Sequence, residues 1–225
     1  MLEALERYPT TLGQPWIFLL LLLCMALLAY VHNMYPARFF KLFKSTFNER
    51  MTRQVMREEM VFSHRASLIL LLTSALAFAM LIWLIAGYFM ETSVPDLRLY
   101  WILLAGVSAW VIGRQLIRSS LEQLLDQDYG LREFNFVSAL IYKAMCFGFV
   151  PLAFLLAFLD MDVIPVLLIL TGTWLLLGMG FRFYRGWMIG RHYKAPFFYT
   201  ILYLCALELI PTLVLIRFIQ SHVQN

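Results

Sequence analysis

Six apolar stretches, separated by polar segments, dominate the pattern of hydrophobic and polar positions along the chain. A helix of about 20 apolar residues is long enough to cross the hydrocarbon core of a bilayer. The pattern therefore predicts an all-α, polytopic membrane protein that forms one domain over residues 1–225. The six predicted spans are residues 16–31, 67–90, 97–118, 134–159, 163–181 and 197–218.

The polar segment between spans 1 and 2 contains a second apolar pattern. Four apolar residues repeat at every fourth position and form one stripe on an otherwise charged helix: Phe43, Phe47, Met51 and Val55. Thr46 and Glu49 have the spacing of a capping box at the start of this helix. We expect a helix that lies at the membrane surface before span 2, with its basic side chains near lipid phosphate. The alternative is a helical extension that leads directly into span 2.

Span 3 also contains a packing pattern. Ala105, Ala109 and Gly113 recur at every fourth position. Small residues at this spacing let two helix backbones approach closely in lipid. We expect their companions to be Ala75 and Ala79 in span 2.

The composition supports a membrane location. Apolar residues make up 62% of the chain and charged residues 14%, whereas soluble globular proteins average about 45–50% and about 25%. A soluble fold of 225 residues could not cover this much apolar surface. The net charge of +4 comes from basic residues between the spans, so membrane orientation is a simpler cause than nucleic-acid binding, and we expect no nucleic-acid partner.

The basic residues alternate between the two sides of the predicted topology. Seven, three and four of the 18 Lys and Arg residues lie in or beside the connections 1–2, 3–4 and 5–6, whereas one each lies in or beside the N-terminal segment, the connection 2–3 and the C-terminal end. By the positive-inside rule the three basic connections face the cytoplasm and both termini lie outside. We therefore expect a multi-pass protein of a bacterial inner membrane with periplasmic termini.

Two charged residues lie deep inside predicted spans. Lys143 is nine residues into span 4 and Glu208 eleven residues into span 6, which places them about 14 and about 17 Å from the cytoplasmic side. Because either charge alone is costly at this depth, we predict a buried pair or a shared polar pocket. The alternative is that Lys143 snorkels towards the cytoplasm and Glu208 is protonated.

Span 6 also contains the other two residues of this predicted intramembrane polar site, Tyr203 and Pro211. Pro211 frees a backbone carbonyl one turn earlier, next to Glu208, and this makes a polar notch in the helix. Such notches bind ions or protons in transporters, although plain helix kinks are more frequent. At the end of span 5, a basic cluster supplies candidate contacts for anionic lipid headgroups, or orientation alone: Arg182, Arg185, Arg191 and Lys194.

We find no pattern typical of a cofactor, a metal ion or a catalytic site. The three cysteines lie inside apolar stretches without paired spacing, and the four histidines are scattered. A nucleophile elbow and a phosphate-binding glycine loop are both missing from the sequence. The expected catalytic, metal and cofactor assignments are therefore none.

The last span carries a resemblance to a known family. Residues 202–211 read Leu-Tyr-Leu-Cys-Ala-Leu-Glu-Leu-Ile-Pro, and the portion Leu-Cys-x-Leu-Glu-x-x-Pro resembles an uncharacterised integral-membrane family of Bacteroidota. Arg185-Gly186 and the segment Phe47-Asn48-Glu49-Arg50 are similar as well. The resemblance implies an inner-membrane location and about six helices, and it implies no established activity.

Three classes of function remain. The first is an accessory or structural component of an envelope complex, with the lipid bilayer and a membrane protein or a second copy as partners. The second is a small transporter or lipid-phosphate translocase that uses Lys143 and Glu208. The third is a membrane-embedded enzyme, for which the sequence offers only Glu208 with nearby Tyr203, Tyr199 and His192.

Overall fold

The computed structural model describes residues 15–59, 65–89, 97–124, 131–159 and 161–193, and these residues form helices without any strand. A short 3₁₀ turn, Met161–Val163, joins the last two α-helices. The α-helices are α1 (Pro15–Met34), α2 (Pro36–Phe47), α3 (Glu49–Glu59), α4 (Arg65–Phe89), α5 (Leu97–Leu124), α6 (Leu131–Phe158) and α7 (Ile164–His192).

The long helices coincide with the first five predicted spans. Four of them, α1, α4, α6 and α7, are long and apolar enough to cross a membrane, whereas the apolar part of α5, Leu97–Gly113, is shorter. The all-α prediction is thus confirmed for the described ranges, and the apolar helices indicate a membrane protein. The sixth predicted span, residues 197–218, lies outside the described residues, so the number of six spans stays a prediction.

Helix α6 is the centre of the bundle, because α1 to α5 and α7 all pack against it. The main core contains buried side chains from α1, α4, α5, α6 and α7. Its largest members, Trp83, Tyr100 and Phe149, are almost completely buried. Alanines fill the remaining space between α4 and α6, including Ala77 and Ala153, and their small size lets the two helices lie close together.

The small residues of α5 do not have the predicted role. Ala75 and Ala79 of α4 are buried in the core, but Ala105 and Ala109 of α5 are exposed and point away from it. A side chain added at Gly113 would meet no atom within 4 Å. The predicted contact between the two sets is therefore wrong, because α5 uses the opposite face, with Tyr100, Leu103 and Val107, to pack against the bundle.

The predicted surface helix before span 2 is divided into two helices by Asn48. This residue ends α2 in an extended conformation, with φ −118° and ψ 116°. Its side-chain Oδ1 accepts a hydrogen bond from the Arg50 amide at 3.1 Å and so caps the start of α3. The predicted capping box is wrong: Thr46 still lies inside α2, where its hydroxyl donates to the Leu42 carbonyl at 3.1 Å.

Helices α6 and α7 form an antiparallel pair that approaches closely at Gly148. A side chain at this position would overlap the indole ring of Trp174, which packs directly over the glycine. The indole Nε1 donates to the Met145 carbonyl at 3.4 Å. This packing fixes the pair over much of its length and positions the polar residues that follow in α7.

Candidate functional site

Three charged segments of the chain, which together carry more Arg than Glu, meet at one end of the bundle. They are α3, residues 131–138 of α6, and residues 182–193 at the end of α7, and we call them together the basic end. Contacts between Arg53, Glu133, His192 and Tyr193 join the three segments directly. The described residues of the connections 1–2, 3–4 and 5–6 that make these contacts therefore lie on the same side of the bundle.

Arg185 is the most deeply buried charge of the basic end, with 3% of its surface exposed. Its Nη2 donates to the hydroxyl of Thr52 at 2.8 Å, and its Nη1 lies 3.6 Å from Oε1 of Glu49. Within the described ranges its Nε has no hydrogen-bond partner. The guanidinium thus fastens α3 to α7 through one hydrogen bond and one ion pair.

The hydroxyl of Thr52 connects this contact to the break between α2 and α3. It lies 2.5 Å from the Ser45 carbonyl and 2.9 Å from the Asn48 carbonyl, both of which can accept its single proton. The same oxygen accepts the hydrogen bond from Arg185. Because Thr52 and Ser45 are both fully buried, these bonds satisfy polar groups that would otherwise be costly inside the protein.

Arg53 makes a second, more exposed set of contacts. Its guanidinium lies 3.7 Å from Glu49 on the same helix and 3.8 Å from Glu133 at the start of α6. Its Nη1 is 3.1 Å from Nε2 of His192. Glu133 is buried and also accepts a hydrogen bond of 3.1 Å from the hydroxyl of Tyr193. Two carboxylates thus share the positive charge of Arg53 and Arg185.

Arg182 lies one turn further into the bundle and is also buried. Its Nε and Nη2 both donate to the hydroxyl of Ser138 in α6, at 3.1 and 2.8 Å. Arg182 and Arg185 are therefore both held by protein groups in the described part of the chain. Arg191, by contrast, is exposed, and Lys194 lies outside the described residues. Headgroup contact by these four residues stays a prediction.

Lys143 lies about three turns into α6 and is half-buried. Its ammonium group donates a hydrogen bond to the hydroxyl of Ser67, near the start of α4. The other members of the predicted intramembrane polar site, Glu208, Tyr203 and Pro211, lie outside the described residues. The pair of Lys143 with Glu208 therefore stays a prediction.

The sequence pattern indicates the arginines but not the residues that hold them. A signal was present in Glu49, Thr52 and Arg53, because positions i, i+3 and i+4 share one face of a helix. The apolar stripe of Phe43 and Phe47 is the more conspicuous pattern in this segment. Glu133 and Ser138 carry no comparable signal, because they approach the arginines only through the packing of α6 against α3 and α7.

The contacts at the basic end suit the holding together of helices better than they suit catalysis or metal binding. Glu49 and Glu133 form ion pairs with Arg53 and Arg185, and Thr52 and Ser138 accept hydrogen bonds from Arg185 and Arg182. In the described residues, no group of three or more His, Cys, Asp or Glu side chains is arranged to hold a metal ion. The arrangement connects three helices at one end of the bundle.

Comparison with known proteins identifies the family. The model of a domain of unknown function, DUF4271, matches residues 17–219, so the chain belongs to this family. No curated protein and no solved structure matches the chain. The match agrees with the resemblance to an uncharacterised family, whereas a restriction to Bacteroidota and a six-helix architecture stay predictions.

Proposed function

We propose that this member of the DUF4271 family is an accessory or structural protein of a bacterial inner membrane, and that it packs against a partner in the cell envelope. The four helices that are long and apolar enough to cross a membrane support the membrane location. The positive-inside rule supports an orientation with the basic end in the cytoplasm and both termini in the periplasm. The partner is another membrane protein or a second copy of the chain.

The observation that carries the proposal is the use of the buried arginines. Arg185 bonds to Thr52 and Glu49, and Arg182 bonds to Ser138. A transport or catalytic site must present its donors to a ligand, whereas these donors are directed at neighbouring helices. The contacts hold α3 against the bundle, as expected for a rigid module whose surface is bound by a partner.

The proposal is tested by complementation combined with purification from the source cells. A strain that lacks the gene receives the wild type or Glu208→Gln, and growth, membrane accumulation and co-purifying proteins are measured together. An accessory protein predicts that Glu208→Gln is tolerated, or that it lowers the amounts of the protein and its partner in parallel. A variant that accumulates normally, keeps its partner and yet fails to complement would contradict the accessory role.

A second candidate is a small transporter or lipid-phosphate translocase. The half-buried ammonium group of Lys143, bonded to Ser67 near the start of α4, favours it, because charged residues within membrane spans frequently lie on ion or substrate pathways. This role predicts that Lys143→Met and Glu208→Gln each abolish complementation at normal accumulation. If the two residues pair, the charge exchange Lys143→Glu with Glu208→Lys should restore accumulation relative to either single reversal.

A further inference from the structure

Helix α2 exposes apolar side chains and buries polar ones, which is the reverse of a surface helix on a soluble protein. Phe40, Phe43 and Phe47 are 59%, 45% and 64% exposed, whereas Ser45 and Thr46 are buried. Both buried hydroxyls are satisfied within the helix, because they donate to the Leu42 carbonyl at 2.7 and 3.1 Å. If these three phenylalanines were exposed to water, about 25 cal/mol of hydrophobic free energy would be lost for each Å² of apolar surface left uncovered. The outward face of α2 therefore suits an apolar environment.

The contacts of α2 indicate how deep it lies. Phe39 packs edge-on against Phe147 of α6, with ring centroids 5.0 Å apart, and Phe47 packs against Phe181 of α7 at 5.4 Å. Counted along α6 from Phe158 and along α7 from Ile164, the helix ends that face the turn, Phe147 and Phe181 are about 17 and about 26 Å away, since a helix rises about 1.5 Å per residue. The hydrocarbon core of a bilayer is about 30 Å thick. With the turn at one surface of that core, α2 lies in the opposite half.

Exposed basic side chains lie next to this apolar face. Lys44 is exposed beside the phenylalanine face, and Arg50 is exposed just beyond the break at Asn48. Helix α2 contains no acidic residue. An apolar face with exposed cations at its border is complementary to a leaflet of anionic phospholipid, in which acyl chains lie below negatively charged phosphates.

We propose that α2 is a lipid-binding helix that lies in one leaflet, with Phe40, Phe43 and Phe47 among the acyl chains and Lys44 and Arg50 on the phosphates of anionic phospholipids. The helix is too short to cross a bilayer, and its other face, with the buried Ser45 and Thr46, lies against the protein. This binding does not depend on the accessory role, since it concerns the lipid that surrounds the chain.

The depth of α2 is tested with nitroxide labels on the full chain in vesicles of phosphatidylcholine with one quarter phosphatidylglycerol. Labels are attached to Phe40→Cys, Phe47→Cys and, as a control at the exposed C-terminal part of α5, Ser120→Cys, after alanine replaces the native cysteines. Oxygen should collide with the labels at 40 and 47 more often than a water-soluble nickel chelate does, and the order should reverse at 120. If the nickel chelate collides more often than oxygen at 40 and 47, as at 120, the insertion of α2 into the membrane is overturned. Exclusion of both reagents from 40 and 47 would assign the face to a protein partner or a second copy and would overturn lipid binding.

The preference for anionic lipid is tested with a fluorophore at Phe47→Cys and lipids with brominated acyl chains, which quench it on contact. Brominated phosphatidylglycerol should be enriched at least about fivefold over brominated phosphatidylcholine, since each of the two basic side chains contributes about that factor at an anionic surface. The enrichment should disappear in Lys44→Gln with Arg50→Gln and persist in Arg98→Gln, a matched control at the exposed start of α5. Equal quenching by the two lipids in the wild type, or an unchanged enrichment in the double variant, would overturn the assignment. Circular dichroism and gel filtration confirm that each variant is folded.

Discussion

The two ends of the bundle are held together in different ways. At the end opposite the basic end, Trp16 of α1 packs against Trp83 of α4 and Tyr100 of α5, with ring centroids 5.1 and 5.7 Å apart; we call these three residues the aromatic end. The basic end depends on a few directional contacts made by Arg185 and Arg53. Aromatic packing is tolerant of small shifts, whereas hydrogen bonds weaken steeply when their geometry changes.

This difference indicates separate roles for the two ends. Lipid tails are as apolar as leucine, so helices in a membrane associate through close packing and polar contacts rather than through exclusion of water. The aromatic end provides close packing and contributes to overall stability. The basic end selects one position for α3, since only that position brings Thr52 and Glu49 to Arg185.

The largest effect is expected from Trp83→Ala. This change removes a side chain that is 1% exposed and leaves a cavity between α1, α4 and α5. A loss of about 3 kcal/mol in the free energy of unfolding is typical of such truncations. Unfolding in mixed detergent with increasing dodecyl sulfate measures it. Trp101→Ala, at a position that is 59% exposed, is the control and should lose little; equal losses would contradict the packing role of Trp83.

The second-largest effect is expected from Arg185→Met. The free energy of unfolding should fall by about 2 kcal/mol, because the change removes a hydrogen bond and an ion pair made by a charged group. The loss is smaller than for a fully buried pair, since Glu49 is partly exposed and can be solvated. The same unfolding assay applies. Arg191→Met, at an exposed position of the same helix, should be close to wild type, and an equal loss there would show that the effect is one of general charge.

Thr52→Val tests the hydroxyl that Arg185 contacts. The volume is nearly unchanged, so the expected loss of about 1 kcal/mol comes from the missing hydrogen bonds. The matched control is Thr173→Val, because the Thr173 hydroxyl bonds only within its own helix, to the Ile169 carbonyl at 2.8 Å, and the residue is exposed. Unfolding curves that are the same for both variants would exclude a special role of Thr52.

The smallest effect is expected from Arg53→Gln. Arg53 is 37% exposed, so water reaches its ion pairs with Glu49 and with the buried Glu133; ion pairs that water reaches contribute about 0.5 kcal/mol, which salt screens further. The difference from wild type should therefore shrink when the unfolding assay is repeated at high ionic strength. A loss as large as that of Arg185→Met would mean that the exposed contacts, and not the buried ones, hold α3.

Much of this fold could be predicted from the sequence, because long apolar runs determine where membrane helices form. The ends of the helices were less certain. Span 5 was expected to end at Phe181, where apolarity ends, but α7 continues to His192. It continues because Arg182 and Arg185 find partners on neighbouring helices, and a partner of this kind is visible only in three dimensions.

The outward position of Ala105 and Ala109 could not be predicted for a similar reason. Every face of α5 is apolar enough to be buried, so the pattern does not indicate which face meets α4. The choice depends on large residues such as Tyr100, which pack with Trp16. At the candidate site, likewise, residue type identified the cations, while the identity of Thr52 and Glu133 as their neighbours required the packing of α3 and α6.

The most direct test of the account is hydrogen exchange of the backbone amides of residues 49–56 in α3, compared between wild type, Arg185→Met and Trp83→Ala. We predict that Arg185→Met accelerates exchange in α3 and leaves the amides of residues 76–86 in α4 protected, while Trp83→Ala has its larger effect in α4. Unchanged protection of α3 in Arg185→Met would contradict the claim that the buried arginine holds this helix on the bundle.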